Sequence, residues 1–213
     1  MSSDDRLQLL QMKDSNNGVT ILWYVAVLSD TETLKMILES VSCEERLHLL
    51  QMKCSEGATV LHYSRSGLFV SMILRSVSEE ERYLLLSVQD NNGFTPIQMA
   101  CLCDESEVLD VMISLITEET WYKLLQIPAV GGYTVFHVSA YRGRTRAIES
   151  IAKSLTAQHL IHLLRITDNE GLTPMQFAEY NGKEAAAKML QEYQTNALIN
   201  VALQQSDYAG IDT

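Results

Sequence analysis

The chain lacks any long apolar run. None reaches the roughly 18–20 residues that a helix needs to cross a bilayer, so no membrane span is expected. Its start, Met1-Ser2-Ser3-Asp4-Asp5, is acidic and has neither the basic nor the apolar region of a signal peptide. The expectation is a soluble, cytoplasmic protein. Basic side chains are scarce, 16 against 27 acidic ones, for a formal net charge of −11. That field repels phosphate backbones and argues against nucleic acid as a partner. Arg142, Arg144 and Arg146 form the one local knot of basic charge, and a solvated turn and helix start explains it.

Chemistry-bearing motifs are absent too. The four cysteines are Cys43, Cys54, Cys101 and Cys103, and the Cys101-x-Cys103 spacing is not a usual zinc spacing. They read as reduced thiols. There is no Gly-x-Ser-x-Gly, no glycine-rich phosphate loop and no His-Glu-x-x-His. Cys54 lies near His62, but nothing supplies an orienting third group or an oxyanion donor. His159 and His162 are three apart on an expected helix, with no third ligand near them. No catalytic residue, cofactor or metal ligand is expected.

What the chain does have is a repeated device. Asp168-Asn169-Glu170-Gly171-Leu172-Thr173-Pro174-Met175-Gln176-Phe177-Ala178 echoes Asp90-Asn91-Asn92-Gly93-Phe94-Thr95-Pro96-Ile97-Gln98-Met99-Ala100. Asp-Asn-x-Gly is turn chemistry, with the glycine supplying a positive φ. Threonine then caps a helix that starts with proline, whose missing N–H costs nothing there. Worn copies follow Gly18, Gly57 and Gly132, so the five glycines stand 39, 36, 39 and 39 residues apart.

This pattern resembles the ankyrin repeat, a turn followed by Thr-Pro-Leu-His-x-Ala. The resemblance runs from about residue 2 to 194. It implies an all-α fold: a solenoid of stacked helices with short β-hairpin-like fingers, and one continuous core without domain boundaries. The expected repeats span about 2–41, 42–77, 78–116, 117–155 and 156–194. A capping helix over 195–205 folds back as a lid, and 206–213 forms a disordered tail. Each repeat carries an added short helix that opens at Ser or Thr, with capping boxes at Ser42/Glu45 and Ser78/Glu81. The apolar pairs closing these helices, from Leu9/Leu10 to Leu163/Leu164, should face the stack. Ser29 and Asp104 should replace the left-handed glycine that ends the second helix at Gly143 and Gly182. Pro128 should weaken pairing in the fourth finger. His62 and His137 are expected to tie neighbouring turns together by hydrogen bonds.

In ankyrin-like arrays the residue after the turn glycine faces partners. Here that position holds Val19, Ala58, Phe94, Tyr133 and Leu172, which predicts an apolar contact stripe. Tyr141 and Tyr180 extend it, and Asn91, Asn92 and Arg142 supply a polar ring. The resemblance implies a non-catalytic protein-binding scaffold or adaptor, monomeric, whose acidic background favours a partner with basic and apolar character. A self-associating structural module and an inhibitor that occludes a partner enzyme remain open.

Overall fold

The computed structural model describes residues 3–209, with side chains from 5 to 205. The first unit holds α1 (Ser3–Gln11), α2 (Ile21–Val27) and α3 (Thr31–Glu39). The second holds α4 (Cys43–Gln51), α5 (Val60–Tyr63) and α6 (Gly67–Arg75), and the third α7 (Glu79–Leu86), α8 (Pro96–Cys103) and α9 (Ser106–Ser114). Then come α10 (Glu118–Leu125), α11 (Val135–Arg142) and α12 (Thr145–Lys153), and finally α13 (Ala157–Arg165), α14 (Pro174–Tyr180) and α15 (Glu184–Ala209). The regular structure of the described residues is all helix, apart from one isolated antiparallel bridge between Ala129 and Tyr133. None of these helices is long and apolar enough to cross a membrane.

Helices pack in rows at a spacing of three. α2 lies on α5, α5 on α8, α8 on α11 and α11 on α14. α3, α6, α9, α12 and α15 make a second row, and α1, α4, α7 and α10 a third. Local chemistry starts and stops each helix. Ser42 with Glu45, and Ser78 with Glu81, form reciprocal capping boxes. Ser29 (φ 53°) and Asp104 (φ 65°) take the left-handed conformation that Gly143 and Gly182 take in later units. In the second unit α5 is a single turn, and the three-residue linker 64–66 leads straight into α6.

An arginine near the start of three added helices ties the rows together. Arg46 donates to Leu38 O at the end of α3 and to Ser76 O just beyond α6. Arg82 does the same to Leu74 O and Leu115 O, at 2.7 and 2.8 Å. Arg6 donates to Ser40 O. Helix C-termini leave carbonyls unpaired and carry partial negative charge, so a guanidinium suits them. Arg82→Met keeps most of the stem and loses both bonds, and should cost about 2 kcal/mol in urea unfolding. A midpoint equal to wild type would show that water replaces the arginine without loss.

The fingers, the turns before the inner helices α2, α5, α8, α11 and α14, each close on one shared backbone bond, and in the last four the turn glycine returns a second to the carbonyl of Cys54, Asp90, Ala129 or Asp168. Asp14, Cys54, Asp90, Ala129 and Asp168 donate their N–H to the carbonyls of Val19, Ala58, Phe94, Tyr133 and Leu172, all at 2.9 Å. Pro128 does not weaken its finger, contrary to the sequence expectation. The donor is Ala129, one residue on, and the position of Pro128 donates in none of these fingers. Successive fingers also bond to each other: Ser55 N–H to Asn17 O, Asn91 to Glu56, Val130 to Asn92 and Asn169 to Gly131.

The two ends differ from expectation. Leu9 and Met12 are exposed, although their counterparts Leu49 and Met52 are buried or half-buried. No earlier unit stands beside α1 among the described residues. At the other end no lid folds back. α15 runs unbroken from Glu184 to Ala209, because neither glycine nor proline interrupts it. Ala197 is buried, whereas Leu198, Ile199 and Leu203 are exposed. Residues 206–209, expected as tail, continue the helix backbone; 210–213, like Ser2 at the expected first cap, lie outside the described residues.

Candidate partner-binding cleft

The inner-helix row positions the site. Each inner helix begins at a threonine, and in α5, α8 and α11 the residue three positions on holds both its own cap and the next turn. His62 Nδ1 accepts the Thr59 N–H at 3.0 Å, which leaves Nε2 to donate to Phe94 O at 3.0 Å. His137 repeats this between Thr134 N–H and Leu172 O, at 3.2 and 3.0 Å. Gln98 does the same work with an amide: Oε1 accepts Thr95 N–H, and Nε2 donates to Ile127 O and Tyr133 O. Burial pushes the pKa of both histidines down, outweighing the carbonyl bonds that raise it. They are neutral structural ties. Since both nitrogens of His62 are engaged, it is no base for Cys54.

These ties hold the third, fourth and fifth turns beside α8, α11 and α14. Between them opens a cleft of about 380 Å³. Phe94 and Tyr133 enter it from the turns, Leu102 from α8, Val138 and Tyr141 from α11, and Phe177 from α14. Phe177 is its centre. Its ring lies 5.1 Å from that of Tyr133, 6.1 Å from Tyr141 and 5.8 Å from His137. Offset and edge contacts at such distances are favourable aromatic geometry. Gly131 (φ 91°) allows the Tyr133 ring to cross the turn, because a Cβ there would come within 2.5 Å of Tyr133 Cε2. Arg142 lines the cleft mouth, with its guanidinium carbon 5.4 Å from the Tyr141 ring centroid.

The expected stripe is therefore only partly a surface. Phe94, Tyr133, Tyr141 and Arg142 converge on the cleft. Val19 and Ala58 do not: they are 4% and 5% exposed, because α2, α5 and the neighbouring finger close over these smaller side chains. Leu172 is half-buried and stays outside the cleft lining. Asn91 binds its amide to Ser55 O, tying fingers together, and Asn92 is exposed at a finger tip with its carbonyl given to Val130. Tyr180 is 77% exposed and lies off the cleft.

Phe177, Leu102 and Val138 are cleft residues that the expected stripe does not include. Phe177 and Val138 share one register position, six after the turn glycine, and Met99 holds the same position in the unit before Val138. A series read at that position would have found them. Elsewhere, a more open groove of about 550 Å³ lies along α7 and α10, with Glu79, Glu80 and Lys123 in its lining. Lys123 is already bonded to Glu119 at 2.7 Å. His159 and His162 are both engaged by Tyr122 of the previous unit, and His159 also by Glu118. His159 Nδ1 sits 2.9 Å from Glu118 and its ring stacks on Tyr122, whose hydroxyl meets His162 Nδ1. Among the described residues no three His, Cys, Asp or Glu side chains gather as a metal site.

No family model matches this chain, and no curated protein is significantly similar to it.

Proposed function

We propose that this chain is a protein-binding module, an ankyrin-like solenoid of five repeats with short turn-like fingers, which takes a segment of a partner protein into the aromatic cleft. The observation that carries the reading is the cleft itself: a concave apolar site with a few polar groups at its edge is the usual form of a recognition pocket. Tyrosine and arginine at its mouth are the residues in which binding energy concentrates at protein interfaces. The row packing of helices at a spacing of three, and the finger-to-finger bonds, support the solenoid. A scaffold or adaptor role without catalysis fits a cleft whose imidazole is fully occupied by Thr134 and Leu172. A cytoplasmic setting fits four free thiols, with Cys101 buried and pushed up to about 12 by that burial.

Peptides selected from a random phage library on the immobilised chain test this. Tyr141 is 46% exposed, so Tyr141→Ala removes a wall of the cleft with little cost to folding. Selected peptides should lose about ten-fold or more in affinity for the variant, the ordinary range for an interface tyrosine. Peptides that bind wild type and variant equally would place the interface elsewhere, with the α7–α10 groove next to test.

A further inference from the structure

Resting on the cleft reading, we propose that the segment it takes is acidic: an aromatic or leucine anchor for the ring cluster, next to a carboxylate for Arg142. The expectation from net charge was the opposite. That argument is long-range, and charge beyond about 8 Å is largely screened at physiological salt. What decides is the charge at the contact.

At the contact the sign is positive. No Asp or Glu lines the cleft, and Arg142 is its one cationic side chain. Arg142 is exposed and makes no ion pair among the described residues. Its neighbour in sequence, Arg144, shows the alternative: it is held by Asp104 at 3.2 Å and by Leu102 O. Lys183 lies outside the cleft lining, with its stem beside Gly143, the residue after Arg142. Asp168, the carboxylate whose field reaches His137, is buried outside the cleft lining: its Oδ1 accepts the N–H groups of Glu170 and Leu172, and its Oδ2 has no hydrogen-bond partner among the described residues. Stacked near Tyr141, the Arg142 guanidinium presents a planar edge of N–H donors, the geometry that grips a carboxylate through two bonds. An acidic residue beside the anchor supplies that carboxylate.

The test uses the whole chain and three fluorescein-labelled decapeptides with one shared aromatic anchor. Their flanks are all acidic, all neutral or all basic. Anisotropy at physiological salt should rank acidic above neutral above basic, with acidic over basic by about ten-fold or more. Arg142→Glu should invert this order at an unchanged unfolding midpoint, and Tyr141→Ala should weaken all three. A basic peptide that binds best, or a ranking that ignores Arg142→Glu, overturns the acidic assignment and leaves the cleft reading standing. Binding that ignores Tyr141→Ala, or no binding by any of the three, overturns both.

Discussion

Gly93→Val is expected to cost about 3 kcal/mol or more, while the same change at Gly171 costs clearly less. Both glycines have nearly the same backbone, φ 78° and 83°. A β-branched residue resists that conformation, at about 1–3 kcal/mol. The sites differ in what stands beside them. A Cβ on Gly93 would come 2.8 Å from the backbone nitrogen of Val130, the atom that bonds to Asn92 O in the preceding finger. A Cβ on Gly171 meets nothing within 4 Å, because no further finger packs against it among the described residues. Gly93→Val therefore strains its own turn and also forces two fingers apart; Gly171→Val strains only its turn. Denaturant unfolding of the two variants separates these costs. Equal losses would mean that the fingers are not coupled through their backbones.

Replacing both ring ties, His62→Gln with His137→Gln, is expected to flatten the pH dependence of stability without unfolding the chain. The chain already uses glutamine for this task at Gln98, with the same cap and the same reach to the next turn. In the folded state burial holds both imidazoles below their ordinary value near 6.5. The unfolded chain therefore takes up protons first as pH falls. Stability from these groups is full above about pH 6.5 and declines as pH drops below it towards the folded values. Each proton contributes a slope of at most about 1.4 kcal/mol per pH unit. The carboxylates work in a lower window. Glu45, held down by the Ser42 N–H, and Glu118, held down by the Thr156 N–H, lose their contribution only as pH falls through the acid range. Wild type should thus lose stability just below neutrality where the double variant does not. Parallel curves for the two proteins over that range would contradict the neutral, buried assignment.

Much of the local structure was legible because its causes are local. The positive φ at Ser29 and Asp104 follows from their register with Gly143, and the capping boxes follow from Ser and Glu three apart. What failed depended on neighbours in space. Val19 and Ala58 share a register position with Phe94 and Tyr133, yet they are covered; side-chain size and the shortened α5 decide it, not register. Phe177 was read as part of a repeated motif, and its role as the centre of the cleft emerges only when α11 and α14 lie side by side. The arginine row of Arg6, Arg46 and Arg82 looked like part of the charged helix starts; its carbonyl partners are about 8 to 34 residues away in sequence. The straight run of α15 was mistaken for two elements because Gln194 breaks the apolar pattern, but a polar residue on an outer face does not break a helix.

The most direct measurement of the central claim is an NMR titration of the whole chain with a library-selected peptide, with the aromatic and methyl resonances assigned. The cleft account predicts shifts at Phe94, Leu102, Tyr133, Val138, Tyr141 and Phe177, with intermolecular contacts from the peptide anchor to the Phe177 ring. Shifts confined to Tyr83, Leu84 and Thr120 along α7 and α10, with the Phe177 ring unmoved, would contradict it.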